Sequence, residues 1–141
     1  MKADNAIKVT FVSRSINESF ARSVISAFAA QQDPALDELQ DIKTAVSEAV
    51  TNCIIHAYPD TLGIITLTAT LTGSRLRVVI ADKGVGIPNV EEAMTPVFTT
   101  GGKERAGLGF AVMQTFMDDV RVRSTAGRGT RVTLTKTLSV K

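Results

Sequence analysis

The stretch Ile65-Thr66-Leu67-Thr68-Ala69-Thr70-Leu71 alternates strictly between apolar residues and threonine. Such alternation is the mark of a strand with one buried face and one wetter face. Thr72-Gly73-Ser74 then turns the chain, and Arg75-Leu76-Arg77-Val78-Val79-Ile80 runs back toward Asp82. Two alternating strands joined by a short glycine turn form a hairpin. An antiparallel pair with one apolar face must bury it, and a layer of helices is the simplest cover.

The rest of the chain supplies that cover. Lys8–Val12 reads as an opening strand. Ser15 or Asn17 is a candidate cap for a first helix running to about Gln31, and Ser15 with Glu18 fits a capping box. Phe20, Val24, Ala27 and Phe28 are its expected buried stripe. Asp33-Pro34 breaks the chain, and a long second helix follows from about Pro34 to Tyr58. On a helical wheel Leu39, Ile42, Val46, Ala49, Val50, Cys53, Ile54 and Ala57 share one broad apolar face. Glu48 and Asn52 sit near the centre of the opposite face, with Asp37, Asp41 and Thr44 on the same side and His56 at its edge. Pro59-Asp60 stops the helix.

From Pro88 to Ala106 regularity fades, with a short helical turn expected over Val90 to Met94 and a mobile, glycine-containing loop over Thr99 to Ala106. Gly107-Leu108-Gly109 opens a third helix, Phe110 to about Asp118. Val120–Arg123 and Arg131–Thr135 form a final hairpin about Ala126-Gly127-Arg128-Gly129-Thr130. Hairpins without a β-α-β crossover predict an α+β fold: a two-layer sandwich with a mainly antiparallel sheet and helices on one face. The 141 residues suit a single domain over 1–141.

Composition removes several classes of function. No apolar run reaches the ~20 residues of a membrane span. The N-terminus has no signal-peptide pattern, so a cytoplasmic protein is expected. One cysteine, Cys53, excludes an internal disulfide framework and a multi-cysteine zinc site; on its apolar face it reads as core. From Val120 onward there are six Lys/Arg and no acid, yet aromatics make up only 5% of the chain, which argues against direct nucleic-acid binding. The single histidine, His56, excludes a Ser-His-Asp set and a paired-histidine metal site. Met113 and Met117 belong to a helix packing face.

Four constellations remain. Glu48 and Asn52, one turn apart, project side by side and can position a hydroxyl nucleophile and a hydrated Mg²⁺, or simply form a solvated face. Asp82-Lys83-Gly84-Val85-Gly86 at a strand end is either a turn or an acceptor for a flat polar ligand, with glycines admitting close backbone approach. Gly107-Leu108-Gly109 at a helix start, behind Lys103 and Arg105, is either a flexible connection or a phosphate-binding helix N-terminus. It is neither a Walker loop nor a Rossmann fingerprint. Gly129-Thr130 can bring a hydroxyl to a base edge or serve as a plain hairpin turn.

The order Glu48-x-x-x-Asn52, Asp82-x-Gly84-x-Gly86, Gly107-x-Gly109, Gly129-Thr130 resembles the Bergerat-fold (GHKL) ATP-binding proteins, which include gyrase, Hsp90, histidine kinases and MutL. Ser47-Glu48-Ala49-Val50-Thr51-Asn52 followed by His56-Ala57-Tyr58 is similar to the anti-sigma-factor serine kinases of Gram-positive bacteria. Asn17–Arg22, Phe98-Thr99-Thr100 and Glu104-Arg105 before Gly107 are similar to sporulation members of that family. The resemblance implies ATP held between the helices and a lid at residues 95–107. It implies that Asp82 binds the adenine amino group, that Gly84 and Gly86 admit the base, and that Thr130 sits near it. Asn52 would ligate Mg²⁺, Glu48 would be the general base, and Arg105 would approach the γ-phosphate. Thr99, Thr100, Gly107, Leu108 and Gly109 would complete the nucleotide site. The implied partners are a serine-bearing anti-anti-sigma protein, which is the phosphoacceptor, and a sigma factor held by a homodimer. The lid segment Gly101-Gly102-Lys103 departs from the family pattern in being short and glycine-rich.

Two other readings stand beside this one. The ATP-binding domain of a histidine kinase would carry a preceding dimerisation helix with a phosphoacceptor histidine, whereas here the first helix starts near Ser15 and His56 lies inside the second. A non-catalytic nucleotide-gated binding module would not need a carboxylate beside Asn52.

Overall fold

The computed structural model describes residues 3–87, 90 and 102–139, with backbone alone for 102–107. The elements are β1 (Asn5–Val12), α1 (Ile16–Ala30), α2 (Leu36–Asn52), a π-helical turn (Cys53–Ala57), β2 (Ile64–Thr72), β3 (Arg75–Asp82), α3 (Gly102–Phe116), β4 (Asp119–Thr125) and β5 (Gly129–Thr137). The strands form a sheet of order β1-β2-β3-β5-β4, every pair antiparallel.

The threonine alternation of β2 sets the layering. Ile65, Leu67, Ala69 and Leu71 are buried, and the register places Leu76, Val78 and Ile80 of β3 on that same face. Shifting β2 by one residue would turn its whole apolar set to the other side. The opposite face carries Thr66, Thr68, Thr70 and Arg77. Ile42, Val46, Ala49 and Val50 of α2 close over the apolar side, with Phe110 and Met113 of α3 beside them. Each fully buried large aliphatic side chain contributes about 1.5–3 kcal/mol by leaving water.

The expected α+β sandwich is therefore the observed one, with local differences. In α1 the buried residues are Ala21, Ile25, Phe28 and Ala29. Phe20 and Ala27, expected inside, are exposed. Phe20 instead makes an edge-on contact with Phe11 of β1, ring centroids 6.3 Å apart. The stripe is rotated by one position because α1 packs jointly on α2 and the sheet, which a wheel for one helix does not contain.

The capping box at Ser15 does not form, since Ser15 makes no side-chain cap. Glu18 accepts a hydrogen bond from the Ser47 hydroxyl on α2 and pairs with Arg22 at 3.2 Å. A partner on a neighbouring helix has displaced the local one. In α2, by contrast, the Glu38 carboxylate accepts the Ala35 N–H at 3.0 Å and caps the first turn.

The third helix also differs from expectation: α3 begins at Gly102, so residues 102–107, expected as loop, are helical. The expected turn at Val90 to Met94 and the lid residues 95–101 fall on positions outside the described residues, Val90 excepted.

Candidate functional site

Asp82 ends β3 and is buried, at 8% exposure. A buried carboxylate must be hydrogen-bonded, and this one is. Its Oδ1 accepts the Gly84 N–H at 2.9 Å and the Thr130 N–H at 3.2 Å. Its Oδ2 accepts the Cys53 thiol at 3.4 Å. A carboxylate offers about four acceptor positions, so one remains, on Oδ2. Asp82 and Thr130 are direct partners in the β3–β5 ladder, which is why residues so distant in sequence share one atom.

The loop after Asp82 is held by the end of the second helix. The π-helical turn places the Ala57 carbonyl where it accepts the Val85 N–H at 3.0 Å. The Tyr58 hydroxyl donates to the Ile64 carbonyl at 2.8 Å and accepts the Lys83 N–H at 2.7 Å. Burial, with smaller contributions from neighbouring Asp82 and Cys53, raises the Tyr58 pKa, so the hydroxyl stays a donor. Burial first, and the charge of Asp82 second, push the Cys53 thiol well above its ordinary range, so it too remains protonated and donating.

The glycines of this loop are required by the chain itself. Gly86 has φ of +78°, and a Cβ there would sit 2.3 Å from the Thr125 carbonyl oxygen. Gly129 has φ of +121°, and a Cβ there would sit 2.1 Å from the Asp82 carbonyl oxygen. Gly84 lies against the Ala57 carbonyl in the same way. Close approach of backbone to backbone accounts for these residues before any ligand is considered. Thr130 is less simple than a turn residue: its hydroxyl lies 2.8 Å from the Ser124 hydroxyl, and Ser124 accepts the Ile87 N–H at 2.6 Å.

Glu48 and Asn52 form the second half of the site. They do not form a solvated face. Both are half-buried, and α3 passes directly over them. A Cβ on Gly109 would lie 3.1 Å from Glu48 Oε2 and 3.3 Å from both terminal atoms of Asn52. The Asn52 Nδ2 is buried and makes no hydrogen bond among the described residues. An orphaned amide donor beside a carboxylate is costly and marks a place where a further polar group fits.

Gly107 and Gly109 do not open the helix. They lie inside α3, where N–H groups bond to carbonyls four residues back. Leu108 is half exposed. The backbone of Arg105 lies in α3, its side chain is not described, and Thr99 and Thr100 fall outside the described residues.

The donor set fits a nucleotide at both ends: a buried carboxylate with one free acceptor position, and an amide with an unused donor beside a carboxylate. Among the described residues no group of three or more His, Cys, Asp or Glu could hold a metal by itself. A hard cation here would share Asn52 with oxygens of its ligand and with water.

The structure brings Asp82 together with Thr130, and Glu48 and Asn52 against Gly109, and it adds Cys53, Tyr58 and Ser124 to the surroundings of Asp82. Cys53 was hidden by its position on the apolar face. Ser124 was visible in principle, since the period of β4 puts it on the same face as Val120 and Val122.

Comparison with known proteins gives this geometry a family. Residues 13–136 match the model of the histidine kinase-like ATPase domain. A protein named anti-sigma F factor from Thermoanaerobacter sp. (strain X514) is 56% identical over 137 residues, 96% of each chain. A protein of the same name from Clostridium kluyveri is 50% identical over 134 residues, 94% of each chain. Among solved structures, the RsbU and RsbW domains of a Mycobacterium tuberculosis protein align with a TM-score of 0.70 at 22% identity, covering 96% of this chain and 32% of that one. The catalytic domain of histidine kinase ThkA aligns with a TM-score of 0.57 at 16% identity, covering 91% and 97%, and shares the fold. With identities of 50% and 56% to relatives covered over nearly their whole length and a family model spanning residues 13–136, the chain belongs to the histidine kinase-like ATPase family and, within it, to the anti-sigma F factors.

Proposed function

We propose that the chain is an ATP-dependent protein serine kinase as well as a sigma-factor antagonist, acting in the cytoplasm as a single domain over 1–141. Its phosphoacceptor is a serine on an anti-anti-sigma protein, and its other partner is a sigma factor of the F type. The observation that carries the kinase reading is the pair Glu48 and Asn52, half-buried together against Gly109, with the Asn52 amide donor unused.

In this reading Asp82 accepts the adenine amino group through the free position on Oδ2, with Gly84, Gly86 and Thr130 shaping the loop around it. Glu48 accepts the proton of the acceptor serine while the serine oxygen bonds to the γ-phosphorus. The bond from that phosphorus to the bridging oxygen breaks, and ADP leaves. Asn52 would hold Mg²⁺ through its amide oxygen, and the ion would supply neutralisation of phosphate charge. Phosphoryl transfer asks a protein mainly for positioning and charge neutralisation. The lid at 95–107 contributes Arg105, Thr99 and Thr100. Gly107, Leu108 and Gly109 turn their N–H groups to the phosphates, which requires the first turns of α3 to open.

A homodimer is supported by the apolar surface where β1 ends and α1 begins. Val12 and Ile64 are exposed cross-strand partners on the open face of the sheet, and Ile16 (76% exposed) and Phe20 (48%) are exposed on α1, with Phe20 against Phe11 of the edge strand β1. Exposed apolar side chains beside an unpaired edge strand favour association.

The testing experiment is incubation with labelled ATP, Mg²⁺ and the anti-anti-sigma protein, scored for phosphoserine. Phosphoserine on the acceptor is the expected product. Label on histidine or aspartate would favour a histidine-kinase chemistry, and no transfer would leave a nucleotide-gated binding module.

A further inference from the structure

The Cys53 thiol makes the one hydrogen bond that reaches Asp82 Oδ2 among the described residues, at 3.4 Å. Oδ1 has two backbone donors, Gly84 and Thr130, and is saturated. Any ligand amine that reads Asp82 must therefore address Oδ2, beside the thiol. We infer that Cys53 is a positioning residue for base recognition: its S–H orients Asp82 Oδ2 toward a 6-amino purine and so sets the preference for adenine over a 6-oxo purine. This rests on the reading of Asp82 as the adenine acceptor.

The donor's weakness is part of the argument. A thiol is a weak hydrogen-bond donor, so it directs the oxygen without competing strongly with an incoming amine. Cys53 is buried at 4% exposure, and its pKa is raised by burial and by Asp82, so it is a donor across the physiological pH range. Its backbone is equally constrained. Cys53 opens the π-helical turn whose carbonyl at the other end, Ala57, holds Val85. The residue after that turn, Tyr58, holds Lys83. One short segment thus fixes the loop at Asp82, Lys83 and Val85, and Cys53 is the contact on the carboxylate oxygen that keeps a free acceptor position.

The test compares ATP with inosine triphosphate, which carries an oxo acceptor in place of the amino donor, by direct binding to the full-length protein. Cys53→Ala and the near-isosteric Cys53→Val remove the donor, and the valine keeps the packing if alanine proves too unstable. Both are expected to weaken ATP binding about threefold to tenfold, the range of one net hydrogen bond. Both should also lower the ratio of inosine triphosphate to ATP dissociation constants by a similar factor. Cys53→Ser, which retains an O–H donor, should keep that ratio within about twofold of wild type. A purely structural role would lower the melting temperature in all three and leave the ratio unmoved, and that result overturns the inference. Wild-type ATP affinity in Cys53→Val overturns it equally. Asp82→Asn separates the two levels: if it leaves ATP affinity unchanged, the adenine reading itself fails, whereas weakened binding there with no effect at Cys53 removes only the positioning role.

Discussion

Gly109 of α3 lies so close to Glu48 of α2 that a Cβ on the glycine would stand 3.1 Å from the Glu48 carboxylate. Two helices separated by many residues in sequence thus meet at the proposed catalytic base. Gly109→Ala would push on the flexible ends of Glu48 and Asn52, not on backbone. Replacing a mid-helix glycine also gains about 1 kcal/mol of helix propensity. The expected outcome is a melting temperature unchanged or raised, with phosphoserine formation reduced at least tenfold. Loss of stability matching the loss of activity would contradict it.

Removal of the Glu48 carboxylate should separate chemistry from binding. Glu48→Gln is expected to lower the transfer rate by about 10²- to 10⁴-fold, the usual contribution of a general base. ATP affinity should stay within about threefold. Single-turnover transfer and equilibrium binding measure the two, and an undiminished transfer rate would dismiss the base assignment.

The loop glycines should act on stability in the absence of any nucleotide. At Gly86 both the positive φ and the Thr125 carbonyl oppose a side chain. Gly86→Ala should cost about 1–3 kcal/mol, comparable to other strained backbone positions. Urea unfolding of the nucleotide-free protein reads this directly. A wild-type midpoint would mean that the loop relaxes freely and that the glycine serves ligand approach instead.

The exposed apolar edge should control association. Ile16→Glu places a charge among the exposed apolar side chains beside β1, at a side chain that is 76% exposed and adds little to the core. Sedimentation should show a dimer for the wild type and a monomer for the variant, with melting temperature nearly unchanged. A variant that remains dimeric would move the interface elsewhere.

Acid should loosen the tie between α2 and the C-terminal segment. Glu38 accepts the Ser139 N–H at 2.9 Å and also its hydroxyl, and these bonds hold the carboxyl below the usual range. A depressed folded-state pKa contributes stability above the unfolded value and loses it as pH falls through the folded one. Glu38 is half-buried and its bonds to Ser139 lie at the surface, so solvent screens the effect and it is small. Glu38→Gln should flatten the acid limb of the stability curve, measured by urea midpoints between neutrality and acid. An identical acid limb would exclude the contribution.

Much of the layering follows from the sequence alone. The threonine alternation of β2, the glycine turn at Gly73 and the broad apolar face of α2 specify a hairpin sheet under helices, because alternation and helical period are local properties of the chain. The same locality identifies Asp82 as a carboxylate at a strand end and pairs Glu48 with Asn52 one turn apart. Tertiary structure alone decides what those residues touch. The Ser15 cap gives way to Glu18 meeting Ser47 on another helix. The turn glycines prove to be demanded by carbonyls of distant segments. Cys53, a core residue by its spacing, turns out to hold the oxygen of Asp82. Hydrogen bonds and steric contacts between segments depend on how packed elements are set against one another, and no local period encodes that setting.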